Sequence, residues 1–257
     1  MKRLMSVNGT FYPSDKSELK SMINYFNEVA EQHFVDRIYS QNPVALIVPH
    51  AGFIYSGFTA NLAYRNVTKI PKRVIVIGPS HRVAFDGISL NDYVGYDTPL
   101  GKIDGDREYV SQLKEKFSFV SIEHKEHSTE VQFPFIKFYF EDIKLIEMVY
   151  STTQNLVNIL DYLLKNDENL VIISTDLSHF YDEEKAHRLD SFIIKAVENL
   201  DLEMLKNGEA CGMLGVASVL EVAKRLGLST KSIDYRTSAN ITKDKSSVVG
   251  YYSAMVC

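Results

Sequence analysis

The chain has 257 residues, 45% of them hydrophobic and 24% charged, an ordinary globular composition. Acidic residues outnumber basic ones 33 to 28, for a formal net charge of -5, so the basic footprint of a nucleic-acid binder is missing. No apolar run approaches the ~20 residues that span a bilayer, so no membrane partner is expected either. The opening MKRLMSVNGTFYPSD is basic but has no apolar h-region, so it does not read as a signal peptide. The only cysteines are Cys211 and Cys257, a poor framework for a secreted fold, and a cytoplasmic location is expected. At ~150 residues per domain the length would allow two domains. No linker, charge block or low-complexity tract divides the chain, so one domain over 1–257 is expected.

In chain order, a helix is expected over 18–31, with Leu19, Met22, Ile23, Phe26 and Val29 at helical spacing and Ser17 as its cap. The run 44–48 (VALIV) reads as a buried strand, and a helix opening on Ser56 runs to Tyr64. A second strand follows at 73–77 (RVIVI). Residues 85–99, with Tyr93, Tyr96 and Pro99, interrupt the pattern as a hairpin or irregular flap. Asp104-Gly105-Asp106 reads as a turn before a helix over 106–117. A helix over 129–140 contains Pro134, which is expected to kink or break it. Its aromatic run, 133–140, reads as core. Next come a strand at 144–149 (KLIEMV), a helix over 155–165, a strand at 170–173 (LVII) and a helix over 183–199. A helix over 211–226 ends at Gly227, a good residue just past a helix. A short strand at 231–235 and a strand over 248–255, broken by Gly250, complete the order. Strands apolar on both faces, alternating with helices, predict an α/β fold with a largely parallel central sheet and helices on both faces.

Three of these strands run into turn-forming segments that carry a histidine. VALIV leads to Pro49-His50-Ala51-Gly52, RVIVI to Gly78-Pro79-Ser80-His81, and LVII to Ser174-Thr175-Asp176-Leu177-Ser178-His179. Open α/β sheets bind ligands beyond the carboxyl ends of their strands. A loop histidine alone means little, but three equivalent placements among seven histidines point to one shared crevice. Neutral imidazole is both a metal ligand and an acid-base group near neutral pH. An anionic partner for two histidines would come from Asp176 or Cys211. Cys211 falls at a predicted helix start, where the helix N-terminus lowers a thiol pKa. The segment 123–130, with His124, His127 and Glu130, is dense in ionisable groups. His124 and His127 are candidate ligands, but a solvated loop and helix start is the plainer reading, with His127 and Glu130 as candidate pocket residues. His33 and His187 are expected to face solvent.

These residues resemble the Memo family, whose bacterial and archaeal members include AmmeMemoRadiSam system protein B. The resemblance rests on Phe11-Tyr12-Pro13, Pro49-His50-Ala51-Gly52 with Tyr55-Ser56-Gly57, and Gly78-Pro79-Ser80-His81. It continues through Thr98-Pro99-Leu100-Gly101, Glu126-His127-Ser128-Thr129-Glu130, Ser174-Thr175-Asp176-Leu177-Ser178-His179 and Cys211-Gly212. It implies a fold similar to class III extradiol ring-cleavage dioxygenases, whose non-haem iron is held by two histidines and a glutamate. Carried onto this chain, His50 and His81 match the histidine ligands and Cys211 stands at the glutamate position. His179 matches the acid-base histidine, with Asp176 beside it, and Gly52, Tyr55, Ser80, His127 and Glu130 line the pocket. The implied cofactor is a divalent or redox-active metal, iron or copper first and zinc next. A thiolate in place of a carboxylate moves the site toward softer metals and away from a plain iron centre. Three functions follow as expectations: a metal-dependent oxidoreductase acting on a small molecule, a metallohydrolase, or a binding protein with a vestigial site.

Overall fold

The computed structural model describes residues 1–33, 42–152 and 155–257. The strands are β1 (Lys2–Arg3), β2 (Ala45–Val48), β3 (Arg73–Pro79), β4 (Ile88–Leu90), β5 (Gly95–Tyr96), β6 (Ile103–Gly105), β7 (Lys144–Tyr150), β8 (Asn169–Ser174), β9 (His179–Tyr181), β10 (Thr230–Thr237) and β11 (Val248–Val256). The helices are α1 (Lys16–His33), α2 (Phe58–Tyr64), α3 (Arg107–Lys116), α4 (His127–Glu130), α5 (Phe133–Tyr139), α6 (Leu156–Leu164), α7 (Glu183–Asn199), α8 (Leu202–Leu205), α9 (Met213–Leu226) and α10 (Ala239–Thr242). Among the described residues no helix is long and apolar enough to cross a membrane.

One sheet runs in the order β1-β5-β6-β7-β3-β8-β2-β11-β10, with β4 added on β7 and β9 on β11. The central strands β7, β3, β8 and β2 are parallel, and β11 closes on β2 antiparallel. Successive side chains of a strand point to opposite faces, and the core divides accordingly. Ala45, Ile47, Ile75, Ile77, Val171 and Ile173 pack on one face with residues of α6, α7 and α9. Leu46, Val48, Val74, Val76, Leu170 and Ile172 pack on the other with α1, α2 and α5. This is the α/β architecture that the doubly apolar runs predict.

Local chemistry explains where the elements depart from the sequence expectation. Asp15, not Ser17, caps α1, its Oδ1 accepting from the backbone N–H of Ser17 and Glu18. Ser56 does not cap α2. It lies in a π-turn, Phe53–Gly57, and donates to Ala51 O at 3.0 Å. The helix expected over 129–140 is two helices, α4 and α5, with Pro134 in the first turn of the second. Proline there removes an N–H that has no helical partner anyway. Residues 85–99 form short strands stitched to the sheet at β4 and β5. Asp104 and Gly105 lie in β6, and Asp106 caps α3 by accepting from Tyr109 N–H.

Candidate metal centre

β3, β8 and β2 are neighbours, so the segments that leave their carboxyl ends meet. His50 follows β2 and is almost fully buried. Its backbone N–H donates to Asp176 Oδ1 at 2.8 Å, and its Nδ1 lies 3.1 Å from Ser174 Oγ. That hydroxyl donates to Ser128 O and accepts from Gln132 Nε2. Its one proton is therefore spent, and it can only accept from His50. His50 is then the Nδ1–H tautomer, with the lone pair on Nε2. Burial pushes the imidazole pKa down to about 4, so His50 is neutral and free to ligate at neutral pH.

His81 follows β3. Its backbone N–H and its Nδ1 both meet the carboxylate of Glu126, at 2.7 and 3.1 Å. An ionised carboxylate accepts only, so Nδ1 carries the proton here too and Nε2 is left open. Glu126 also caps α4, accepting from His127 N–H at 3.0 Å and Ser128 N–H at 3.4 Å. Burial alone would raise the Glu126 pKa. The hydrogen bonds from His127 and His81 outweigh it and hold the carboxyl well below the usual range. One buried carboxylate thus staples the loop after β3 to the first turn of α4. Close approach of α4 to β3 needs Gly78, where an added Cβ would sit 2.7 Å from Ser128 Oγ.

His127 opens α4. Its ring centroid lies 5.5 Å from that of His50 and 4.7 Å from that of His81, and the His50–His81 distance is 5.3 Å. One ligand atom from each of the three comes within 4.8 Å of the others. His127 Nδ1 is 2.9 Å from Glu126 Oε1, away from the ideal hydrogen-bonding direction. The rings pass from the interior outward, His50 at 1%, His127 at 18% and His81 at 31% exposure, so the cluster has a closed floor and an open rim.

Cys211 adjoins the set from the other side. Its Sγ is 3.4 Å from His50 Nε2 and accepts from Asp176 N–H at 3.2 Å. Gly212 permits this, since a Cβ there would meet the Thr175 side chain at 2.5 Å. The helix-start argument for a lowered thiol pKa does not hold. α9 begins only at Met213, and burial, reinforced by the Asp176 charge, pushes the Cys211 pKa up to about 12.

The remaining candidates lie as follows. Asp176 joins His50 to Cys211. His179 opens β9 opposite Val249 of β11, half-buried, its ring 5.6 Å from that of Phe180. Gly52 precedes the π-turn, Tyr55 within it is exposed, and Ser80 Oγ donates to Val83 O. Glu130 is buried against the N-terminal segment, accepting from Ser6 and Val7 N–H and from the Tyr12 hydroxyl. His33 and His187 are exposed. Glu126 carries no signal of its own in the sequence beyond its place in the 123–130 charge cluster. Its role shows only when β3 and α4 are brought together.

Residues 3–255 match the family model described as Memo-like protein. The chain belongs to the Memo-like family. Among its Memo-like relatives, a MEMO1 family protein of Methanobrevibacter smithii is 35% identical over 99% of both chains. One of Aquifex aeolicus is 33% identical over 96% of both chains. Another, from Thermotoga neapolitana, is 32% identical over 97% of this chain and 98% of its own. The histidine cluster of this Memo-like chain has the donor set and the bracing carboxylate of a metal centre.

Proposed function

We propose that this protein binds a redox-active metal, iron or copper, through His50, His81 and His127, with Cys211 as a fourth donor, and acts on a small molecule at the open rim. The observation that carries the reading is three convergent imidazoles within 4.8 Å. The tautomers of His50 and His81 are fixed by Ser174 and Glu126. Hydrogen bonding the far nitrogen of a ligand imidazole is how proteins orient metal-binding histidines. His127 Nδ1 lies 2.9 Å from the same Glu126 carboxylate, which is placed to orient this ring too. Sulfur beside imidazole favours softer metals such as copper(I) over hard cations, while iron stays in the reading through the resemblance to dioxygenases. The metal, when bound, supplies electron transfer.

The protein's own groups do the rest. The partly exposed thiol of Cys211, its pKa raised by desolvation, holds its proton until a metal displaces it, so ligation there would release a proton. Asp176 holds the His50 backbone and the Cys211 sulfur together. His179, three residues beyond Asp176 on the same sheet edge, is the proton carrier in this reading.

Elemental analysis of anaerobically purified protein tests the metal. Iron or copper near stoichiometry in wild type, lost in His50→Ala and His127→Ala, is the expected result. Zinc alone, with metal-dependent ester hydrolysis, would replace this reading with a hydrolytic one, and no bound metal would end both. His179→Ala should keep its metal while turnover drops by ~10²–10⁴-fold. Loss of the metal in that variant would make His179 a ligand instead.

A further inference from the structure

We propose that Arg3 is a positioning residue for the metal centre, fixing His127 from the N-terminal segment. The inference rests on the metal-binding reading above and extends it to residues far away in sequence. Helix α4 is a single turn of four residues, and a turn that short cannot hold its own geometry. It is pinned from outside at both ends. Ahead of it, Arg3 Nη2 donates to the backbone O of Glu126 at 3.0 Å. At its end, Arg3 Nη1 lies 3.2 Å from Glu130 Oε2. Arg3 Nε reaches Glu147 of β7 at 3.1 Å, and Glu147 accepts in turn from the Thr129 hydroxyl.

Arg3, Glu130 and Glu147 are all nearly fully buried. Glu130 takes further hydrogen bonds from Ser6 Oγ, Ser6 N–H, Val7 N–H and the Tyr12 hydroxyl. The same segment carries Phe11, whose ring lies 4.9 Å from that of His127. One guanidinium therefore sits between two buried carboxylates and the turn that begins with His127. Without it, Glu130 and Glu147 repel each other and the turn loses the contacts that tie Glu126 O and Glu130 to one group. His50 keeps Ser174 and Asp176, so the damage falls on His127 first and reaches His81 only through the Glu126 that Arg3 also holds.

Cobalt(II) titration of the metal-free full-length chain, read by visible absorption, tests this. Arg3→Met should weaken cobalt binding by ~10–100-fold and move the spectrum toward that of His127→Ala. Arg3→Lys keeps the charge but lacks the planar fork that reaches Glu126 O. It should fold where Arg3→Met does not and show the same spectral change in smaller degree. The control is Arg73→Met, which removes the other buried arginine among the described residues, at the opposite edge of the sheet. It should lower the urea midpoint while leaving affinity and spectrum as in wild type. Wild-type affinity and spectrum in Arg3→Lys, and in Arg3→Met where it folds, would overturn the proposal. A spectrum equally disturbed in Arg73→Met would overturn it too, by reducing the effect to general destabilisation. Failure of wild type itself to bind cobalt would overturn the metal reading, and this proposal with it.

Discussion

The two edges of the central sheet bury charge in opposite ways. At the amino-terminal edge, Arg73 opens β3 and finds a partner for each face it presents. Its Nε meets Asp106 at 2.9 Å, its Nη1 meets Asn169 at 3.1 Å, and its guanidinium lies 4.0 Å over the Tyr109 ring. Glu168 adds a longer contact at 3.5 Å. At the carboxyl edge, carboxylates and hydroxyls also occupy the buried positions, but they take up only one nitrogen of each of His50 and His81. The other nitrogen of each has no carboxylate or hydroxyl partner, and that of His50 meets only the Cys211 sulfur, at 3.4 Å. A buried cluster that satisfies itself holds a fold together. A buried cluster that holds donors in place and leaves their lone pairs open is built to take something else.

The sharpest way to break this comparison is to swap which edge is damaged. Arg73→Met leaves Asp106 without its partner, and breaking a buried ion pair from one side costs about 3–5 kcal/mol. Urea denaturation should show that loss, while metal content per folded molecule stays at the wild-type level. A metal loss in this variant would mean that the two edges are not separable. Glu126→Gln does the reverse. The amide has nearly the carboxylate's shape, but it cannot accept at both oxygens from the four N–H groups of residues 81, 82, 127 and 128. Loss of an outer partner of ligand histidines typically weakens binding ~10–100-fold. Competition against a chromophoric chelator measures it, and unchanged affinity would remove Glu126 from the site.

A smaller effect separates bracing from chemistry behind the carboxyl edge. Asp190 of α7 is fully buried and accepts from Ser178 N–H at 3.0 Å and the Tyr235 hydroxyl at 2.6 Å. Burial raises its pKa despite those hydrogen bonds. The folded state therefore holds the proton more tightly than the unfolded chain does. The stability this contributes is present below the unfolded value of ~3.9 and is lost as pH rises through the raised folded value. Asp190→Asn cannot ionise. Urea midpoints at pH 4 and pH 7 should show the variant gaining on wild type as pH rises. The reverse trend would mean that the carboxylate is better solvated than its burial implies.

How much of this was legible beforehand depended on the range of the interaction. The strands at 44–48, 73–77 and 144–149 show their apolar content locally, and β2, β3 and β7 fall within two residues of them. The histidines after β2 and β3 were legible because strand ends in this fold class carry ligand sites. The strand order was not. Nothing local says that β8 lies between β3 and β2. His127 was legible as a candidate ligand but ranked below a pocket or solvated role, because its segment reads as a charged helix start. The partner that changes that reading, Glu126, acts on a loop 45 residues earlier in the chain. Glu147 is the missed clue. A glutamate inside an otherwise apolar strand must find a buried cation, and that cation is Arg3, 144 residues away. The lowered pKa expected for Cys211 fails for a simpler reason, since sequence places the residue near a helix start but cannot report that its thiol is desolvated.

The smallest effect expected concerns the fold after metal removal. Small zinc domains unfold on chelation because their ligation energy is their folding energy. This chain differs in what surrounds the ligands. His50 is held by Ser174 and Asp176, His81 by Glu126, and His127 by the cap of α4, all without a metal. Two apolar cores flank the strands that deliver them, and a chain of this length buries ~70–75% of its surface on folding. The metal should therefore add only its binding linkage, about 3–4 kcal/mol at a hundred- to thousand-fold excess over Kd. Far-UV circular dichroism at 25 °C should be the same before and after EDTA, while the thermal midpoint falls by ~5–10 °C and returns when metal is added back. Collapse of the far-UV signal on chelation would mean that the bracing groups cannot hold the carboxyl edge unaided. The contrast between the two edges would then be one of metal dependence instead of donor arrangement.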